Sequence, residues 1–81
     1  MMTITIKFFA LGRELVGKSE LQKSYDESVT VGKVLEDLRA EYPRLAQMPS
    51  MLLAVNMEYS GEDTVLKDGD ELAIIPPVSG G

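Results

Sequence analysis

The sequence predicts an α+β fold in which a mixed β-sheet carries one main helix across one face. Three patterns support this prediction. Apolar and polar side chains alternate over residues 3–9, as in a strand with one buried face. Residues 30–42 carry apolar side chains at helical spacing, and residues 72–75 are apolar throughout, as in a central strand. Two strands before one helix, with a fully apolar last strand, favour a sheet whose first and last strands are central neighbours.

The first strand directs Ile4, Ile6 and Phe8 to one face, and Phe8 is expected in the core. Phe9 stands where the other face would carry a polar residue. This interruption indicates that the end of the strand is covered or meets a partner.

A single helical turn is predicted over residues 10–17, because Leu11 and Leu15 are four positions apart and Gly17 suits a left-handed C-terminal cap. Residues 21–25 then alternate in a manner typical of a polar edge strand.

The clearest helix begins at Thr30, whose hydroxyl suits an N-cap, and ends before Pro43, which disfavours helical geometry at the residue preceding it. Residues 43–50 are expected to form a connecting loop. The apolar stripe of the helix comprises Val31, Val34, Leu35 and Leu38.

The second half of the chain alternates strands and turns. Residues 51–55 are apolar on both faces and predict a strand that is covered on each side or lies at a junction. A polar turn is expected over residues 59–63, and a brief strand or turn over residues 64–66. Residues 67–70 read Lys-Asp-Gly-Asp, a strong turn signal before the last strand, residues 72–75.

Composition narrows the chemistry. The 81 residues suffice for one domain, residues 1–81, and include no Cys and no His. The chain therefore lacks a thiolate nucleophile, an imidazole base and the ligands of an ordinary zinc site, and we expect it to catalyse nothing alone. A net charge of −5 with scattered basic residues argues against nucleic-acid binding. No apolar stretch approaches a membrane span and residues 1–7 do not read as a signal peptide, so we expect a cytoplasmic protein.

The C-terminal segment is the main chemical feature. Pro76 and Pro77 follow the last strand directly and stop strand pairing, and the chain ends in Gly80-Gly81. Glycines without side chains suit insertion into a narrow channel of a second protein. A terminal carboxylate activated by adenylation would accept sulfur at the Gly81 carbonyl carbon without any catalytic side chain in this chain. Against this stands the observation that many chains end in glycines with no function.

Four segments together resemble the small subunit of molybdopterin synthase, a family of ubiquitin-like sulfur carriers. Residues 8–17 (FFALGRELVG) look like that family's F-F-A-x-x-R-E-L-x-G, and residues 54–56 match its A-V-N strand. Residues 66–73 (LKDGDELA) are similar to its L-x-D-G-D-E-[LV]-A turn, and residues 76–81 (PPVSGG) fit P-P-V-[ST]-G-G. Residues 41–50 show no matching motif.

The resemblance implies a β-grasp fold and a carrier whose Gly81 is adenylated by a partner resembling ubiquitin-activating enzymes, then converted to a thiocarboxylate. ATP would be used by that partner, with no cofactor or metal bound to this chain. Two such chains would insert their tails into a dimer of the large subunit, which holds the catalytic groups. Sulfur would pass there to precursor Z (cyclic pyranopterin monophosphate). The tail residues are Pro76, Pro77, Val78, Ser79 and Gly80.

Several other residues have competing interpretations. Phe9, Leu11 and Arg13 are candidates for a partner interface. The alternative for Phe9 and Leu11 is a place in the core, and a surface ion pair of Arg13 with Glu14 explains that pair at least as well. Turn chemistry explains Asp68 and Asp70 better than metal binding, which needs more oxygen ligands. Three methionines are expected to fill gaps in the packing: Met48, Met51 and Met57.

Three alternative functions stay open at this stage. One is sulfur donation for another product, such as the thiazole of thiamin. Another is a ubiquitin-like modifier joined to lysines of other proteins. The third is an interaction module whose tail has no chemical role.

Overall fold

The computed structural model describes residues 1–48 and 51–76. The elements in chain order are β1 (Met2–Phe8), α1 (Leu11–Val16), β2 (Glu20–Tyr25), β3 (Val29–Thr30), α2 (Val31–Glu41), a 3₁₀ helix (Pro43–Gln47), β4 (Leu52–Val55), β5 (Glu58–Tyr59), β6 (Val65–Leu66) and β7 (Glu71–Ile75).

The main sheet has five strands in the order β2-β1-β7-β4-β5. Strand β7 lies in the centre, parallel to β1 and antiparallel to β4, which confirms the predicted pairing of the first and last strands. Strands β3 and β6 form a separate two-stranded antiparallel sheet.

The core lies between one face of the sheet and α2. Met2, Ile4, Ile6 and Phe8 of β1 are buried, so every second residue of that strand faces inward as the alternation predicts. They pack in one cluster with the apolar stripe of α2, which comprises Val31, Val34, Leu35 and Leu38. Burial of each such side chain stabilises the fold by about 1.5–3 kcal/mol.

Helix α1 is the short turn that the sequence predicts. Gly17 caps its C-terminus with φ 84°, in the left-handed region where glycine is favoured, and its N–H donates to the Arg13 carbonyl at 2.8 Å. Thr30 caps α2 as expected, because its Oγ1 accepts a hydrogen bond from the Lys33 N–H at 3.2 Å.

Edge strand β2 is tied to α2 by polar side chains. The Tyr25 hydroxyl donates to Asp37 Oδ2 at 3.0 Å, and Lys23 forms an ion pair with Glu41. Lys33 Nζ lies 3.1 Å from Asp37 Oδ1. Burial, followed by the neighbouring Asp37, raises the pKa of the Tyr25 hydroxyl above its ordinary value of 10.0.

The expected loop over residues 43–50 is wrong for its first five residues. Pro43 opens the 3₁₀ helix, where its missing N–H costs nothing, and the Leu45 N–H donates to the Tyr42 carbonyl at 2.8 Å. Leu45 is completely buried in the core cluster. Residues 49–50 lie outside the described residues.

The polar turn expected over residues 59–63 is wrong at its first residue only. Tyr59 belongs to β5, which forms a hairpin with β4 through Ala54↔Tyr59 and Val55↔Glu58. The turn of this hairpin consists of Asn56 and Met57. Within residues 1–48 and 51–76, no helix has the length and apolar character needed to cross a membrane.

Candidate functional site

The outer face of the sheet, opposite α2, carries an apolar surface around β7. Leu72 and Ile74 point into the core, so the alternation of the strand directs Glu71, Ala73 and Ile75 outward. Strands β4 and β7 carry apolar residues on both faces. Their inner faces pack in the core, whereas none of the described elements covers their outer faces.

Register aligns small residues in the middle of this face. Ala73 of β7 lies opposite Ala54 of β4, and Ala54 in turn lies opposite Tyr59 of β5. Two alanines side by side between larger neighbours leave a depression of about 270 Å³. This alanine-floored depression is lined by Phe9, Ala54, Met57, Tyr59, Glu71, Ala73 and Ile75.

The walls of the depression are apolar and accessible. Phe9 is 45% exposed, Tyr59 75% and Met57 85%. Large exposed apolar side chains grouped around a concave surface mark an interaction site rather than ordinary surface. One wall residue is charged, because Glu71 Oε2 lies 3.3 Å from Lys7 Nζ in a partly exposed ion pair.

The hairpin that carries Met57 and Tyr59 is fixed by Asn56. Its Nδ2 donates to Asp70 Oδ1 at 3.0 Å, and its Oδ1 accepts the Glu71 N–H at 3.0 Å. Asp70 Oδ2 also accepts the Lys67 N–H at 2.8 Å. The hydrogen bond from Asn56, followed by that from the Lys67 N–H, holds the pKa of the Asp70 carboxyl below its ordinary value of 3.8.

Asp68 anchors the same turn to the beginning of β1. Its Oδ1 accepts the Thr3 N–H at 2.8 Å, while the Gly69 N–H donates to the Thr3 carbonyl at 2.9 Å. Both carboxylates are thus used to hold backbone N–H groups, as the interpretation from turn chemistry predicted. The Asn56 contacts therefore hold the hairpin that carries Met57 and Tyr59 against the beginning of β7.

Two residues of the hairpin turn have positive φ. Asn56 has φ 51° and Met57 φ 71°. Asparagine tolerates this region, but an unbranched apolar residue is uncommon there. The prediction that Met57 fills a gap in the packing is wrong, since its side chain stands in solvent; Met48 and Met51 do pack against the core.

The predicted interface residues separate in the structure. Phe9 lines the depression, and its N–H approaches the Ile74 carbonyl at 3.4 Å. Leu11 and Arg13 lie on α1, both exposed, and neither lines the depression. Among the ion pairs described for residues 1–48 and 51–76, none joins Arg13 to Glu14.

The predicted tail residues begin beside the depression. Ile75 forms part of its wall, and Pro76, partly buried, follows directly. The other tail residues, Pro77, Val78, Ser79, Gly80 and Gly81, lie outside the described residues.

Sequence reasoning missed six of the seven residues that line the depression: Ala54, Met57, Tyr59, Glu71, Ala73 and Ile75. The available signal was the placement of alanine at one outward position in each of two strands made otherwise of large apolar residues. That signal does not show that the two alanines lie opposite each other, because their alignment depends on the strand register.

A second depression of about 480 Å³ lies along the same hairpin, lined by Val55, Asn56, Glu58, Tyr59, Ser60 and Thr64. The Ser60 hydroxyl is buried there without a hydrogen-bond partner among the described residues. Its lining contributes one carboxylate, that of Glu58.

Comparison with known proteins decides the family. The profile of the ThiS family matches residues 6–81. The chain belongs to the ThiS family.

Two relatives indicate what members of this family do. The chain is 39% identical over 79 residues to the molybdopterin synthase sulfur carrier subunit of Arabidopsis thaliana, covering 96% of this chain and 82% of that protein. It is 36% identical over 92 residues to small archaeal modifier protein 3 of Haloferax volcanii, covering 99% and 100%.

Solved structures of similar proteins share the fold. The crystal structure of SAMP1 from Haloferax volcanii superposes with a TM-score of 0.85 at 30% identity, covering 98% of this chain and 99% of that one. A chain from the complex of subunits 1 and 2 of molybdopterin-converting factor from Helicobacter pylori 26695 gives a TM-score of 0.70 at 24% identity, covering 99% and 100%. The β-grasp fold expected from the sequence is confirmed.

Proposed function

We propose that this ThiS-family chain is a sulfur carrier that serves as the small subunit of molybdopterin synthase. The observation that carries the proposal is the extent of the family match, which runs through residues 6–81 and so includes the terminal Gly80-Gly81. Similarity to the Arabidopsis thaliana sulfur carrier subunit supports molybdopterin synthesis as the pathway.

The proposed chemistry takes place on the Gly81 carboxylate. An adenylating partner joins this carboxylate to the AMP part of ATP and releases pyrophosphate. A sulfur nucleophile then attacks the carbonyl carbon and AMP leaves, which gives a thiocarboxylate. In the active site of the large subunit, the thiocarboxylate sulfur replaces an oxygen of precursor Z, which leaves as water, and hydrolysis of the acyl–sulfur bond returns the plain carboxylate.

The composition of the chain is consistent with this division of labour. With no Cys and no His, it has neither of the side chains that most often supply nucleophiles and bases near neutral pH. Its contribution is to present the carboxylate, while its partners supply the catalytic groups.

The alanine-floored depression supports a docking role. Ile75 lines it and Pro76 follows, so a partner bound there lies where the tail begins. Residues 77–81 reach at most about 17 Å from that point, at ~3.4 Å per residue. A partner that holds the carboxylate must therefore contact surface close to this exit. Phe9 is the member of the predicted interface that lies there.

A second candidate function is that of a ubiquitin-like modifier joined to lysines of other proteins. Similarity to small archaeal modifier protein 3 over 99% of the chain favours it. It shares the adenylation step and differs in the nucleophile, which is a lysine amine instead of sulfur.

The decisive experiment is the intact mass of the untagged chain isolated from its own cells. A fraction in which one terminal oxygen is replaced by sulfur, localised to Gly81 by fragmentation, is expected. The matched control is the chain with Gly81 deleted, which should show no such fraction and should abolish molybdoenzyme activity in those cells. Normal molybdoenzyme activity in the deletion strain would contradict the proposal, and higher-mass conjugates on a blot would favour the modifier.

A further inference from the structure

Backbone strain in this chain is concentrated beside the alanine-floored depression. At two other left-handed positions the chain supplies glycine, Gly17 with φ 84° and Gly69 with φ 86°. Among the described residues, the side-chain-bearing exceptions are Asn56, Met57 and Ala10, which has φ 49° and follows Phe9 directly. Asn56 is explained by its hydrogen bonds, whereas Met57 has no such explanation.

Met57 occupies a position where glycine is the favoured residue. It is the second residue of a two-residue hairpin turn with positive φ at both positions, the geometry for which Asn-Gly is preferred. The Met57 side chain is 85% exposed, so packing within the described chain does not offset the strain. A residue that is held in a strained conformation, with no contact in the fold that offsets the strain, indicates a functional role.

The depression beside Met57 has the size of a side-chain site. At about 270 Å³ it lies below the ~300–1,000 Å³ of typical small-molecule pockets. Its floor is Ala54 and Ala73, and Phe9 and Tyr59 stand in the wall with Met57. Such a surface fits a large apolar side chain that projects from a protein partner.

We propose that Met57 is a contact residue for the large subunit, kept although it lowers fold stability, so that its thioether can cover an apolar side chain of that subunit docked on the alanine floor. Flexible, polarisable methionine suits a surface of this kind. The inference rests on the proposed function, because it takes the large subunit as the partner. Continuity of the depression with the tail exit, through Ile75 and Pro76, supports that choice.

The test compares stability with affinity in the same variants. Glycine adopts positive φ without strain, so the Tm of Met57→Gly should rise by about 4–8 °C. The same variant lacks the side-chain contact, so its Kd for the large subunit should rise about tenfold. The measurements are thermal unfolding of the full chain and calorimetric titration with the purified large subunit of molybdopterin synthase from the same organism. If Met57 had only a structural role, the variant would not gain thermal stability and lose affinity for the large subunit at the same time.

Matched variants separate the side chain from the backbone. Met57→Gln keeps length and strain but loses apolar character, so it should weaken binding with little change in Tm. Met57→Leu keeps both strain and apolar character and should bind nearly as the unaltered protein does. Val65→Thr is the control, because Val65 is 52% exposed on β6 and does not line the depression.

The outcomes are distinct. Unchanged affinity in Met57→Gly, or a lower Tm in that variant, overturns the assignment of Met57 while binding by the unaltered chain leaves the proposed function standing. No binding by the unaltered chain contradicts the proposed function itself, and the assignment of Met57 with it.

Discussion

Asn56 and Asp70 are joined by a hydrogen bond of 3.0 Å between Asn56 Nδ2 and Asp70 Oδ1, although they belong to separate turns. Asn56 belongs to the β4–β5 hairpin, and Asp70 precedes the central strand β7. The Glu71 N–H completes the connection by donating to Asn56 Oδ1. Because the hairpin also carries Met57 and Tyr59, this contact sets the position of one wall of the alanine-floored depression.

Asn56→Ala is expected to lower the free energy of unfolding by about 3 kcal/mol. Two hydrogen bonds are lost at about 1 kcal/mol each, and alanine is less tolerant of φ 51° than asparagine. Urea unfolding monitored by circular dichroism measures the change. Asn56→Gly should cost less, since glycine accepts the backbone geometry, and exposed Glu58→Gln should cost almost nothing. Equal losses in the alanine and glycine variants would show that φ does not contribute.

Asp70 should make stability depend on pH in the acidic range. Its folded-state pKa is lowered below 3.8 by the hydrogen bond from Asn56 and then by that from the Lys67 N–H, so the unfolded chain binds the proton more readily. Its stabilising contribution is therefore present above about pH 4 and is lost as the pH falls through the folded pKa.

The matched variant for this prediction is Asp70→Asn. It should be less stable than the unaltered chain near neutral pH and should lose less stability on going from pH 5 to pH 2. Urea unfolding across that range is the measurement. Parallel pH profiles for the two proteins would contradict the role assigned to Asp70.

Leu45→Ala should destabilise the fold by about 2–5 kcal/mol, because it leaves a cavity where a completely buried side chain contributes to the core. Ala46→Ser, at an exposed neighbour in the same 3₁₀ helix, is the control. A loss below 1 kcal/mol at Leu45 would mean that this segment does not hold its position in solution.

Phe9→Ser should weaken binding of the large subunit about tenfold, because Phe9 forms a wall of the depression. Leu11→Ser should have a smaller effect, since Leu11 is 41% exposed on α1 and lies outside the lining. Calorimetric titration of both variants, with urea unfolding to verify their stability, tests the comparison. A larger loss at Leu11 would move the interface onto α1.

The sequence by itself determined the main secondary structure and the layout of the core. The alternation of Ile4, Ile6 and Phe8, the stripe of α2 and the cap at Thr30 are local patterns, and each depends on residues a few positions apart. The same locality explains why the sequence pattern predicts a loop over residues 43–50. A 3₁₀ helix of five residues has little periodicity, and the burial of Leu45 depends on what it packs against.

Tertiary structure alone decided where the site lies. Ala54 and Ala73 form one floor because strand register aligns them across β4 and β7, and Met57 stands in solvent because the hairpin turns beside them. Register and turn direction depend on pairings between residues far apart in the chain, for which no local pattern exists. The terminal glycines are visible in the sequence, but the surface beside their exit exists only once the sheet is assembled.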